Sequence, residues 1–92
     1  MSPSFAGIQE CENAFNQKNY DLAISVCDKT KTHPNLRAQF IVAEIFENGH
    51  GKTIKNESIS CGEYLDLANK NYCDAYPKVA QCYIKKIKPS TD

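Results

Sequence analysis

Apolar side chains recur along this chain at intervals of three and four residues, a period that predicts helices from end to end. A first helix is predicted from about Ser4 to Gln17, where Ile8, Cys11, Ala14 and Phe15 share one face. Asn19 suits the N-cap of a second, which carries Tyr20, Ala23, Ile24 and Cys27 along one side. Pro34 fits the first turn of a third helix, because the N–H it lacks would have no partner there. That helix runs on through Ala38, Val42, Ala43 and Phe46, until the two glycines of Asn48-Gly49-His50-Gly51-Lys52 break it. Asn56 or Ser58 then caps a fourth helix holding Ile59, Tyr64, Leu65, Leu67 and Ala68. A fifth is predicted from about Asp74 to Ile87, with Pro77 tolerated in its first turn, and Pro89-Ser90-Thr91-Asp92 reads as a frayed tail. No stretch alternates as a strand would. The expected class is all-α, about five helices joined by short connections and therefore antiparallel to their neighbours.

Within that pattern one segment repeats. Ala38-Gln39-Phe40-Ile41-Val42-Ala43-Glu44-Ile45-Phe46 returns 37 residues later as Ala75-Tyr76-Pro77-Lys78-Val79-Ala80-Gln81-Cys82-Tyr83. Small residues align with small ones (Ala38 with Ala75, Ala43 with Ala80), Val42 with Val79, and Phe46 with Tyr83. The physical logic is that of a helical hairpin. Small side chains let two helices approach, a branched one fills the gap, and an aromatic plugs the turn.

The residues from Ala38-Gln39-Phe40 through Phe46-Glu47-Asn48-Gly49-His50-Gly51, then Asn56, Tyr64, Leu67-Ala68 and Asn71, resemble one unit of the Sel-one-like repeat family. Departures from that pattern are Ala43 for glycine, Asn56 for aspartate, Ser60 for alanine and Leu67 for the first of a small pair. Upstream, Phe15 through Ile24 is similar to the middle of a tetratricopeptide unit. The resemblance implies a single domain over 1–92: a degenerate repeat at about 4–33, a repeat at about 35–71, a capping half-repeat at about 74–88 and a tail at 89–92. It also implies a short right-handed α-α superhelix whose concave surface is lined by the first helix of each pair. With so few units the terminal helices must act as caps, and Asp66, Lys70, Lys78, Lys85 and Lys86 suit polar outer faces.

Charge narrows the partners. Eleven acidic and eleven basic side chains balance, so no electrostatic footprint for a phosphate backbone exists and nucleic acid is not expected. No apolar run has the length of a membrane span, and Met1-Ser2-Pro3-Ser4-Phe5 lacks the basic start and apolar stretch of a secretory signal. The expectation is a cytoplasmic protein. Its five cysteines (Cys11, Cys27, Cys61, Cys73, Cys82) are odd in number and contain no closely spaced pair. They read as small buried hydrophobes with free thiols, a Cys11–Cys27 bridge being the alternative in an oxidising compartment.

The tempting chemistry does not hold together. Gly51-Lys52-Thr53 ends like a phosphate-binding loop, but Phe46 stands where that motif needs glycine and a helix precedes it. His33 and His50 fall in turns without a catalytic signature around them. Cys73 and Cys82 have no second pair to complete a zinc site. No cofactor, no metal and no enzymatic activity are expected. What remains is a recognition surface, and Arg37, Phe40, Ile41, Glu44, Tyr76 and Gln81 are the first-helix positions not assigned to packing; Phe40 and Tyr76 serve equally well to stack hairpins.

The function expected is therefore that of a protein-binding module, small enough for a dedicated inhibitor such as a toxin immunity protein or a phage-encoded blocker. The frequency of Asn, Lys and Ile fits an AT-rich bacterial or phage genome. One alternative is an exported, cell-wall-related hydrolase or binding protein. Secreted proteins of the resembling family are stapled by a cysteine just after the second-helix alanine, where this chain has Ala68. Another is self-assembly, a homodimer being its simplest form.

Overall fold

The computed structural model describes residues 3–28 and 35–90, and these form five helices with no strand among them. They are α1 (Pro3–Asn16), α2 (Tyr20–Asp28), α3 (Leu36–Asn48), α4 (Glu57–Asn69) and α5 (Ala75–Ile84). Consecutive helices pack on one another, and α1 also packs on α3. Pro34 and His33 lie outside the described residues. The third helix starts at Leu36, capped by the Asn35 side chain, which accepts the Ala38 N–H at 3.0 Å. Of the two candidate caps for α4, Asn56 fills the role, its side chain accepting from the Ile59 N–H at 3.1 Å.

Several helix ends share one device. Lys18, Gly49, Asn71 and Lys86 each follow a helix with φ near +60 to +70°. After α5, the Lys86 N–H reaches the Tyr83 carbonyl and the Ile87 N–H reaches that of Cys82, a Schellman closure. This ends α5 at Ile84, short of the Ile87 expected from the pattern, because lysine in a left-handed conformation carries no mark in the sequence. The following residues are not a frayed tail as far as they are described. The Ser58 hydroxyl donates to the Lys88 carbonyl at 2.7 Å, and the Ser90 N–H donates to the Ser58 carbonyl at 2.9 Å. Gly62 makes room for this strap: a Cβ there would collide with the Ser90 carbonyl oxygen.

The core divides on either side of α3. On one side Ala38, Ile41, Val42 and Ile45 pack with Cys11, Ala14, Ala23, Val26 and Cys27 of α1 and α2. On the other, Phe40 and Ala43 pack with Tyr64, Leu67 and Ala75 of α4 and the start of α5. A helix buried on both sides must be apolar nearly all round, which accounts for the unbroken buried run Phe40-Ile41-Val42-Ala43.

The cysteines correct the expectation of free thiols. Cys11 bridges to Cys27, with Cα atoms 4.9 Å apart, and Cys61 bridges to Cys82, at 6.1 Å. Cys73 alone is a free thiol, and it is exposed. The first bridge was the alternative weighed from the sequence; the second staples α4 to α5 from a position other than the one Ala68 occupies. Each closes a loop of about one helical hairpin, worth about 3 kcal/mol in chain entropy. Asp66, Lys70, Lys85 and Lys86 are exposed, and Asp66, Lys70, Lys78 and Lys85 enter ion pairs; the outer side of α5 also exposes Tyr76, Tyr83 and Ile84.

Candidate functional site

A groove of about 460 Å³ runs along α3 between α2 and α4. Its apolar lining comes from Ile24, Val42, Phe46 and Ile59, and its polar lining includes Gln39, Glu63, Asp66 and Lys70. Helical spacing produces this directly: Gln39, Val42 and Phe46 are three and four residues apart on α3, and Ile59, Glu63, Asp66 and Lys70 repeat the spacing on α4. The Gln39 amide donates to the Glu63 and Asp66 carboxylates, at 2.9 Å each, and so holds two acidic groups in place across the groove. The Gln39 hydrogen bond, followed by the Lys70 ammonium at 2.9 Å, holds the Asp66 carboxyl below the usual carboxylate range. Among the described residues Asp28 also borders the groove.

A second polar assembly ties α3, α4 and α5 together. The Tyr64 hydroxyl, on a ring that is 1% exposed, donates to Glu47 Oε1 at 2.6 Å, and the Lys78 ammonium donates to the same oxygen at 3.0 Å. Burial pushes Glu47 up, but the Tyr64 and Lys78 hydrogen bonds and the lysine charge outweigh it and leave the carboxyl below its ordinary value. Burial, then the bond to the glutamate, keeps the Tyr64 proton bound far above the usual phenol range. One turn earlier, burial of Glu44 prevails over the attraction of Lys78 and Arg37 and raises its carboxyl.

The six recognition candidates do not form one surface. Ile41 is fully buried in the α1–α2 side of the core, and Phe40 is 6% exposed, its ring 5.5 Å from those of Tyr64 and Tyr72. Both are spent on packing, because α3 has a neighbour on each flank. Arg37 lies over the Phe40 ring at 5.8 Å, and Glu44 sits within its electrostatic reach. Gln81 borders the small cleft beside Glu47 and Lys78. Tyr76 is exposed on α5, its hydroxyl 3.3 Å from the Asn71 side chain. The groove uses a neighbouring stripe of α3, Gln39, Val42 and Phe46. The signal for it was the polar Gln39 among apolar positions on an inward-looking helix.

The Gly49–Lys52 turn is architecture. Its backbone Lys52 N–H donates to the Asp21 carboxylate at 2.8 Å, and the His50 ring stacks on Tyr20 with centroids 4.0 Å apart. His50, in the turn after α3, is thus a half-buried residue that packs against the start of α2. Among the described residues no group of three or more His, Cys, Asp and Glu is placed to hold a metal ion, and no helix is long and apolar enough to cross a membrane. Comparison with known protein families, with curated proteins and with solved structures finds no match.

Proposed function

We infer that this chain is a short helical-repeat module, of the kind the Sel-one-like repeats represent, and that it works by binding another protein. The observation that carries the reading is the open groove along α3, with an apolar lining and carboxylates positioned by Gln39. Open grooves between helices that combine apolar surface with a few fixed polar groups are where helical proteins take a segment of a partner. The nine-residue match at an offset of 37 supports the repeat, since Ala38 and its counterpart Ala75 are both fully packed. So does the packing of α1 on α3, which is how first helices of successive hairpins meet.

The Glu63 and Asp66 carboxylates that Gln39 fixes beside the apolar lining give the partner its chemistry: a segment with Lys or Arg flanked by aliphatic side chains. A groove of this kind suits a dedicated inhibitor, such as an immunity protein or a phage-encoded blocker. The test is binding of an identified partner, isolated with the wild-type protein, to Glu63→Lys and Asp66→Lys. Loss of at least about tenfold in affinity with helicity intact supports the groove. Undiminished binding by both variants removes it as the site.

A second reading rests on the bridges. Two disulfides in a chain of this length fit an oxidising compartment, and so favour an exported, stapled repeat protein, cell-wall-related in the alternative form, over a cytoplasmic one. Fractionation of the native host with thiol trapping decides between them.

A further inference from the structure

Helix α5 carries an uncovered apolar stripe. Tyr83 is 70% and Ile84 79% exposed, and Tyr76, Pro77 and Ala80 are exposed beside them. Positions 76, 80, 83 and 84 fall within one third of the helix circumference, opposite the buried Ala75 and Cys82. The residues that follow α5 do not cover it, because Lys88 and Ser90 are bonded to Ser58 at the start of α4.

The internal match says what such a stripe accommodates. Tyr76, Ala80 and Ile84 are the counterparts of Gln39, Ala43 and Glu47, each of which meets α4, while Tyr83 corresponds to Phe46, which packs with the α1–α2 side of the core. Ala43 is fully buried there, whereas Ala80 is bare. The surface therefore has the form of one that takes an antiparallel helix, and residues 85–90 do not supply one.

We propose that α5 is a self-association surface, on which a second copy of the chain lays its own α5 antiparallel about Ala80. The stripe is complementary to itself. With Ala80 opposite its own copy, Tyr76 faces Ile84 and Pro77 faces Tyr83, while the small central residue lets the two backbones approach closely. The end carrying Asp74 then meets the end carrying Lys85 and Lys86, so the pairing is also matched in charge. An unrelated helix would have no reason to share this centre. The paired helix, Ala75–Ile84, is only about 15 Å long, which makes the dimer a weak and reversible one.

Sedimentation velocity of the Cys73→Ser protein, which excludes linkage through the free thiol, tests this from about 1 µM to about 1 mM. A monomer–dimer equilibrium is expected, weakened at least about tenfold by Ile84→Glu, whose exposure leaves the fold intact by circular dichroism. In the same background Ala80→Cys is expected to form a covalent dimer on mild oxidation. A mixture of the Tyr76→Cys and Ile84→Cys proteins is expected to cross-link faster than either alone. A single monomeric species across the range overturns the proposal and leaves the stripe to a different chain. A dimer that survives Ile84→Glu, or that resists cross-linking through Ala80→Cys, overturns it equally.

Discussion

Glu44 and Glu47 lie one turn apart on α3, share Lys78 as a neighbour, and are displaced in opposite directions. The difference is hydrogen bonding: Tyr64 and Lys78 both donate to Glu47, whereas burial governs Glu44. A depressed folded-state pKa means that Glu47 contributes stability above the ordinary value of 4.5, lost as pH falls through the lower folded value. A raised one means that Glu44 favours the fold while protonated and loses that contribution as pH rises above 4.5. At neutral pH, Glu47→Gln is therefore expected to lower the melting temperature and Glu44→Gln to hold or raise it. Near about pH 3 both should approach the wild type, a pattern that thermal unfolding at the two pH values checks. Tyr64→Phe deletes the shortest bond of the assembly and should cost about 1–2 kcal/mol, several degrees in a domain of this size. None of these partnerships was visible in the sequence, because Glu47, Tyr64 and Lys78 are far apart along the chain and acquire meaning only where three helices converge.

At the scale of elements, the legible boundaries are those marked by residues that prefer them. Asn56 announces a cap, and Gly49 with Gly51 announces a turn; both glycines have positive φ, and a Cβ on Gly49 would press on the Lys55 backbone. Gly49→Ala is accordingly expected to cost about 1–2 kcal/mol in denaturant unfolding. The end of α5, expected at Ile87 and found at Ile84, is one where an ordinary residue takes the left-handed role, as Lys18 does after α1. Lys18 and Lys86 stand in conformations that glycine would adopt freely. Lys18→Gly and Lys86→Gly should each raise stability by about 0.5–1 kcal/mol, and an unchanged or lowered denaturation midpoint would refute this account of the helix ends. Asp21 shows a third situation: within the segment similar to a tetratricopeptide unit, its carboxylate receives the Lys52 N–H of the turn between α3 and α4.

For the whole molecule, periodicity sufficed to read five helices and their order, since each buries a face on its neighbour. It could not distinguish a cysteine that packs from one that packs and is bonded, because both occupy the same apolar positions; Cys11, Cys27, Cys61 and Cys82 are all buried. The bridges make a simple prediction. One thiol should react with a thiol reagent in the native protein, still one after denaturation without reductant, and five after reduction. Nor could periodicity show that α3 has a neighbour on both flanks. Phe40 and Ile41 therefore looked available for recognition when they were committed to the core, and the groove was left to the stripe beside them.

Both bridges close hairpins at the two ends of the chain, Cys11 to Cys27 and Cys61 to Cys82, and neither spans α3. Mechanically, the protein is two knotted ends joined by an unsecured middle. Pulled from its termini, the oxidised chain cannot pay out the residues inside either loop, so the tension is delivered to the stretch from Cys27 to Cys61. The central helix, the one buried on both sides, is then the element that yields. Single-molecule stretching should record a short release for the oxidised protein, and a longer one after reduction by the length of the two loops.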